Sequence, residues 1–205
     1  MERHKARLVA QDFHQQAGID YHKAFSPVVK LAIICLILSF AISHKCPIRQ
    51  LDVKNSFLHG HLTEFVYMKQ LPGFVPPDHP HHDYKLKKAI YGLKQAPHAG
   101  FHCFSSFLRS HGFTCSTANP SMFVCCTGDH TLILLLYVDD IILIGSSSQM
   151  VTSFISLLSC PFAMKDLGDL YYFLGIQVVS TPSGPFLTQQ KYVHDLLHKF
   201  HLHTS

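Results

Sequence analysis

The sequence predicts an α+β fold. Strand-like stretches stand among amphipathic helical stretches without regular alternation. The run from Leu132 to Gly145 is apolar almost throughout, and its only charges are two adjacent acids, Asp139 and Asp140. The 205 residues are 47% hydrophobic and 15% charged, which provides a sizeable core and lies far from a disordered composition.

Taken in order, Lys5 to Phe13 reads as an opening strand with basic residues beside Leu8 and Val9. Ser26-Pro27 gives a cap followed by proline at the first helical position. The helix predicted from Val28 to Ser43 is apolar on nearly every side and is expected to be buried. Ile48 to Val53 alternates at period two, as a half-buried strand does, with Asp52 near its end. Asn55 to Leu62 reads as a turn into a short helix. Proline and glycine make residues 71–82 a loop. Tyr84 to Ile90 reads as a strand.

Ala99 to His111 puts Phe101, Phe104, Phe107 and Leu108 on one helical face, with Gly112 as the stop. Leu132 to Gly145 reads as a hairpin with the two acids in its turn and both faces covered. Ser146-Ser147-Ser148 caps a helix that ends before Pro161. Tyr171 to Val179 and Pro185 to Thr188 flank a turn at residues 181–184. Tyr192, Val193, Leu196, Leu197 and Phe200 mark a last amphipathic helix.

The formal net charge is +4, and seventeen histidines add positive charge in acid. That balance suits a polyanionic partner without demanding one. The seven cysteines are odd in number and contain no CxxC pair, which argues against a disulfide framework or a zinc ribbon and for a reducing compartment. The N-terminus lacks the apolar stretch of a signal peptide, and Leu31 to Ser43 is too short to cross a bilayer. An intracellular setting away from membranes is expected, as is a piece of a longer protein.

Carboxylates stripped of water without partners lose several kcal/mol, and adjacent like charges disfavour joint ionisation. A divalent cation is the simplest compensation. At a tight turn Asp139 and Asp140 are able to face one ligand, and a strand ending at Asp52 is able to supply a third carboxylate. Such a set suits a magnesium site for phosphoryl transfer. Taken alone, paired acids at a hairpin tip are more often solvated turn residues, and a lone strand-end aspartate is more often a cap.

The surrounding text changes that balance. Tyr137-Val138-Asp139-Asp140 is similar to the Y-x-D-D box of reverse transcriptases. Residues 50–60, QLDVKNSFLHG, resemble the first-aspartate motif in its copia-type retrotransposon form, and residues 87–97, KKAIYGLKQAP, resemble that group's next block. Residues 5–10 (KARLVA), 25–29 (FSPVV) and 172–177 (YFLGIQ) match further blocks in the right order. The resemblance spans nearly the whole chain.

The resemblance implies fingers at approximately 1–45 and 63–98, palm at 46–62 and 99–180, and the end of the palm or start of a truncated thumb at 181–205. It implies RNA-directed DNA polymerisation with two Mg²⁺ ions, Mn²⁺ being a possible substitute. The partners would be dNTP and an RNA or DNA template with its primer, gripped through phosphates and sugars and therefore salt-sensitive. Asp52 and Asp139 would hold the metals, helped by the Val53 carbonyl, with Asp140 in support. Lys5 and Arg7, on one side of a strand, would grip the triphosphate. Phe57 would crowd a ribose 2′-hydroxyl, and Gln95 would line the nucleotide pocket. Lys165 is a candidate to protonate pyrophosphate. Leu174 and Gly175 would start the primer grip, where glycine permits close approach.

Some positions depart from that family. Members usually carry Trp where this chain has Cys46, Arg-Ala-Trp at His98-Ala99-Gly100, Arg at Cys35 and Glu at Phe65. Losing a packed indole typically costs about 3–5 kcal/mol, against a domain stability of roughly 5–15 kcal/mol. The alternative expectation is therefore a catalytically inactive relic, unstable or only binding nucleic acid. A metal-binding reading of His79, His81, His82, His102, Cys103, Cys125 and Cys126 fits no usual zinc spacing.

Overall fold

The computed structural model describes residues 8–181 and 184–202. Helices mix with strands paired antiparallel, as an α+β fold requires. The chain divides into two compact units. One comprises Met1–Pro27 and Lys54–His111, the other Val28–Val53 and Gly112–Ser205.

The second unit is built on a sheet of six strands: β1 (Ile48–Val53), β4 (Thr114–Cys115), β5 (Met122–Thr127), β6 (His130–Tyr137), β7 (Asp140–Gly145) and β8 (Met164–Asp169). Their spatial order is β4-β5-β6-β7-β1-β8. The expected hairpin is β6–β7, and its arms are buried from Leu132 to Leu136 and from Ile141 to Gly145. Because side chains alternate across a strand, each arm presents two apolar rows. One row, Ile133, Leu135, Ile142 and Ile144, packs with Ile34, Leu38 and Ala41 of helix α1 (Leu31–Ser43). Leu132, Leu134, Leu136, Ile141 and Leu143 form the opposite row and are also buried.

Helix α3 (Ser148–Leu158) follows as the serine run predicts. Ser147 is its N-cap, accepting from the Met150 amide at 3.3 Å. Val151 packs so close to Gly145 that an added β-carbon would stand 2.5 Å from its side chain. A three-stranded sheet, β11-β10-β9, joins β9 (Tyr172–Phe173), β10 (Ile176–Thr181) and β11 (Gly184–Thr188). Helix α4 (Gln190–Lys199) ends the described chain, with none of its residues buried.

The first unit carries the ribbon β2–β3 (His61–Met68 and Tyr84–Lys88) and helix α2 (Ala96–Ser110). Val66, Ala89, Leu93 and Ala96 form its small core. Gly112, just past α2, has φ +85°, as expected of a helix stop.

Several elements differ from the sequence reading. Helix α1 begins at Leu31 rather than beside Ser26-Pro27, because the Val29 amide donates instead to the Leu136 carbonyl at 3.3 Å. That helix is not buried all round: Leu36 stays 64% exposed and Phe40 47%. Among the described residues the opening segment makes only an isolated bridge, Val9 to Tyr91, before a 3₁₀ turn at Asp12–His14. Tyr171 to Val179 is not one strand. It doubles back at Leu174-Gly175, with Phe173 opposite Ile176. Strands β2, β4, β5 and β8 were not anticipated. β8 pairs with β1, remote in sequence, whereas β4, β5 and β2 pair with strands that follow them in the chain.

Candidate active site

The acids meet through strand register. Strand β1 lies between β7 and β8, which places Asp52 opposite Asp140 on one side and opposite Lys165 on the other. Asp140 in turn lies opposite Tyr137 of β6. Directly opposed residues share a face, so Tyr137, Asp140, Asp52 and Lys165 form one row across four strands. The row continues the face covered by α1, one step past Ile142. Tyr137 reaches the next hairpin edge-on, its ring centroid 6.2 Å from that of Phe173.

Asp139 enters differently. It sits with Val138 in a two-residue loop, since Tyr137 and Asp140 pair directly. Its carbonyl accepts from the Val53 amide at 2.8 Å, which ties the loop to the end of β1. The turn demands φ +60° at Val138, an uncommon value for a β-branched residue. Such strain is of order 1–3 kcal/mol, against the roughly 0.5–1 kcal/mol entropic cost of glycine. Val138 is exposed, so Val138→Gly is expected to stabilise the chain by about 1 kcal/mol, measured as a higher denaturation midpoint.

Asp140 carries the electrostatic signature of the site. Burial, then the charges of Asp139 and Asp52, hold its carboxyl above the ordinary range. The fold therefore binds this proton more tightly than the unfolded chain does. That contribution to stability is present in acid and is lost as pH rises through the folded-state value. At neutral pH the ionised group opposes folding. Asp140→Asn is expected to raise the melting temperature at neutral pH, with the gain vanishing below the ordinary carboxylate range. A pH series of thermal melts on both proteins checks this.

Carboxylates close enough to raise the proton affinity of Asp140 are hard oxygen donors of the kind a divalent cation takes. Among the described residues no group of three or more His, Cys, Asp or Glu forms a ready metal set.

Leu174 and Gly175 form the two-residue turn between β9 and β10, with φ +48° and +84°. Glycine adopts the second angle freely, and Tyr192 packs beside it, 3.6 Å from an added β-carbon. A glycine inside a strand-like run is the signal that marks this turn in sequence.

Gln95 belongs to the first unit and is 2% exposed. Its amide is engaged by Gln15, which donates to it at 2.9 Å, and by the Asp20 carbonyl, which accepts from it at 3.1 Å. Gln15 also accepts from the Lys94 amide at 2.9 Å. Neither Gln15 nor Asp20 is marked by any local pattern, and only long-range folding brings them to Gln95. The same unit holds a cavity of about 640 Å³ lined by Gln11, His14, Gln15, Asp20 and Lys69 among apolar residues. Lys5, Arg7 and the Phe57 side chain lie outside the described residues. No described helix is long and apolar enough to cross a membrane.

Residues 1–205 match the family described as reverse transcriptase (RNA-dependent DNA polymerase), and the chain belongs to it. It is 43% identical over its full length to the retrovirus-related Pol polyproteins from transposons RE1 and RE2 of Arabidopsis thaliana. It is 41% identical over 98% of its length to that from transposon TNT 1-94 of Nicotiana tabacum. These are Pol polyproteins of copia-type transposons, and the chain spans only 14–15% of their length. No solved structure matches.

Proposed function

We propose that the chain is the polymerase unit of a copia-type retrotransposon. It extends a primer on an RNA or DNA template by nucleotidyl transfer from dNTP. The observation that supports this most is the row Tyr137–Asp140–Asp52–Lys165, with Asp139 tied to Val53 beside it.

Asp52 and Asp139, with the Val53 carbonyl, would hold two Mg²⁺ ions, and Mn²⁺ is the natural substitute. When bound, the ions supply positive charge that favours loss of the primer hydroxyl proton and offsets charge on the phosphates. The primer 3′-oxygen forms a bond to the α-phosphorus as the bond to pyrophosphate breaks. Asp140, with its raised proton affinity, supports the other two acids. Lys165, one strand from Asp52, donates a proton to departing pyrophosphate. The Leu174-Gly175 turn brings its backbone to the primer. By the resemblance, Lys5 and Arg7 hold the triphosphate, Phe57 selects against ribose, and Gln95 keeps the nucleotide-pocket wall in place through Gln15 and Asp20. Catalysis on this reading is mostly positioning and charge stabilisation.

Primer extension on an RNA template with Mg²⁺ tests the reading. Template-dependent incorporation is expected. Folded protein that incorporates nothing belongs instead to the non-catalytic relic.

A further inference from the structure

Strand β8 is the edge of the six-stranded sheet and pairs with β1. An edge strand has one neighbour to fix its register, and a slip of one residue turns every side chain to the other face. The β8 register is also interrupted. Gly168 lies opposite Gln50 and Asp166 lies opposite Leu51, so Leu167 is an extra residue with no counterpart in β1. Gly168 takes φ +91° at this bulge. The bulge decides where Lys165 stands. In a regular strand Lys165 and Asp169, four residues apart, would share a face. Here Lys165 lies opposite Asp52, while Asp169 lies opposite Arg49 on the other face of the sheet.

Arg49 spans the bulge. Its Nη2 donates to Asp166 Oδ2 at 2.6 Å and its Nε to Asp166 Oδ1 at 3.3 Å, and its Nη1 stands 3.9 Å from Asp169 Oδ1. Asp166 Oδ1 also accepts from the Gly168 amide at 2.9 Å, which closes the carboxylate over Leu167. A forked guanidinium fixes the orientation of a carboxylate as well as its distance. We infer that Arg49 is a positioning residue: by joining Asp166 and Asp169 across the bulge, it keeps Lys165 in the row with Asp52. Arg49 and Asp166 occupy the face away from Asp52 and Asp140, so they act on the site only through the strand. If the bulge ran out, Asp166 would come opposite Asp52 and Lys165 would turn to the back. The row would then exchange its lysine for another carboxylate. The catalytic consequence rests on the proton-donor role proposed for Lys165, whereas the hold on register does not.

Hydrogen exchange read by mass spectrometry, beside primer extension, tests this on the full chain. Arg49→Ala and Asp166→Ala are each expected to speed amide exchange within residues 163–170 and to leave the rest of the sheet unchanged. The double variant should exchange no faster than either single one, because both remove the same contact. In primer extension Arg49→Ala should lower kcat about tenfold in the chain that keeps Lys165, and by less than about twofold in a Lys165→Ala chain, where nothing is left to position. Unchanged exchange in residues 163–170 overturns the inference, as does a rise spread evenly over the sheet. Equal losses of kcat in both chains also overturn it, by making the effect general. If the unsubstituted chain incorporates nothing, the polymerase reading fails, and the exchange measurements alone decide whether Arg49 holds the register.

Discussion

Asp139→Asn is expected to reduce primer extension by roughly 10²–10³-fold or more, the cost of removing one preorganised charge from a site whose work is electrostatic. The substitution keeps the side chain's shape, and the backbone link from the Asp139 carbonyl to the Val53 amide needs no carboxylate. The fold should therefore survive. A thermal melt run beside the assay separates lost chemistry from lost structure. Asp52→Asn should behave alike, since its register beside Asp140 places it in the same corner. Asp129→Asn, in the exposed turn between β5 and β6, should leave extension unchanged. Full activity in folded Asp139→Asn would remove the acid pair from the mechanism.

Gly60→Ala is expected to cost about 3 kcal/mol, the upper part of the usual range for overpacking. Gly60 is buried where the chain leaves the 3₁₀ turn Ser56–His59 and crosses the first turn of α2. A β-carbon there would stand 2.5 Å from the Ala99 carbonyl carbon, 2.6 Å from its β-carbon and 2.6 Å from the Gly100 nitrogen. These are mainly backbone atoms, so no rotamer change relieves the clash. The Gly60 carbonyl also accepts from the Ala89 amide at 2.9 Å, so a shift of residue 60 pulls on β3 as well. A chain of this size should lose roughly 6–12 °C in melting temperature. Hydrogen exchange should rise first within residues 54–111. An unchanged melt would mean that the helix and the loop part more easily than close packing allows.

Expectations that rested on local chemistry fared well. The apolar arms around Asp139 and Asp140 became β6 and β7, the serine run capped α3, and Gly112 ended α2. Expectations that needed a distant partner fared worse. Ser26-Pro27 reads as a helix start, yet the sheet claims Val29 through Leu136. The apolar character of Leu31 to Ser43 suggested burial all round, but the sheet below has room for one stripe. Cys46, at a position where a tryptophan was expected, packs against that same core as a small side chain. Phe65, at a position where an acid was expected, remains in solvent.

The sequence alone determined the family and the α+β class, and it singled out the three acids as candidates. These are written in contiguous motifs and in the period of apolar residues, which need no knowledge of the chain path. Only the tertiary structure decided that Asp140, rather than Asp139, stands opposite Asp52, that Lys165 flanks Asp52 on its other side, and that Gln95 is locked to Gln15 and Asp20. Register between strands remote in sequence is set by which apolar rows must face α1 and by the turn that one residue, Val138, accepts at positive φ. That balance is struck between elements and cannot be read within any one of them.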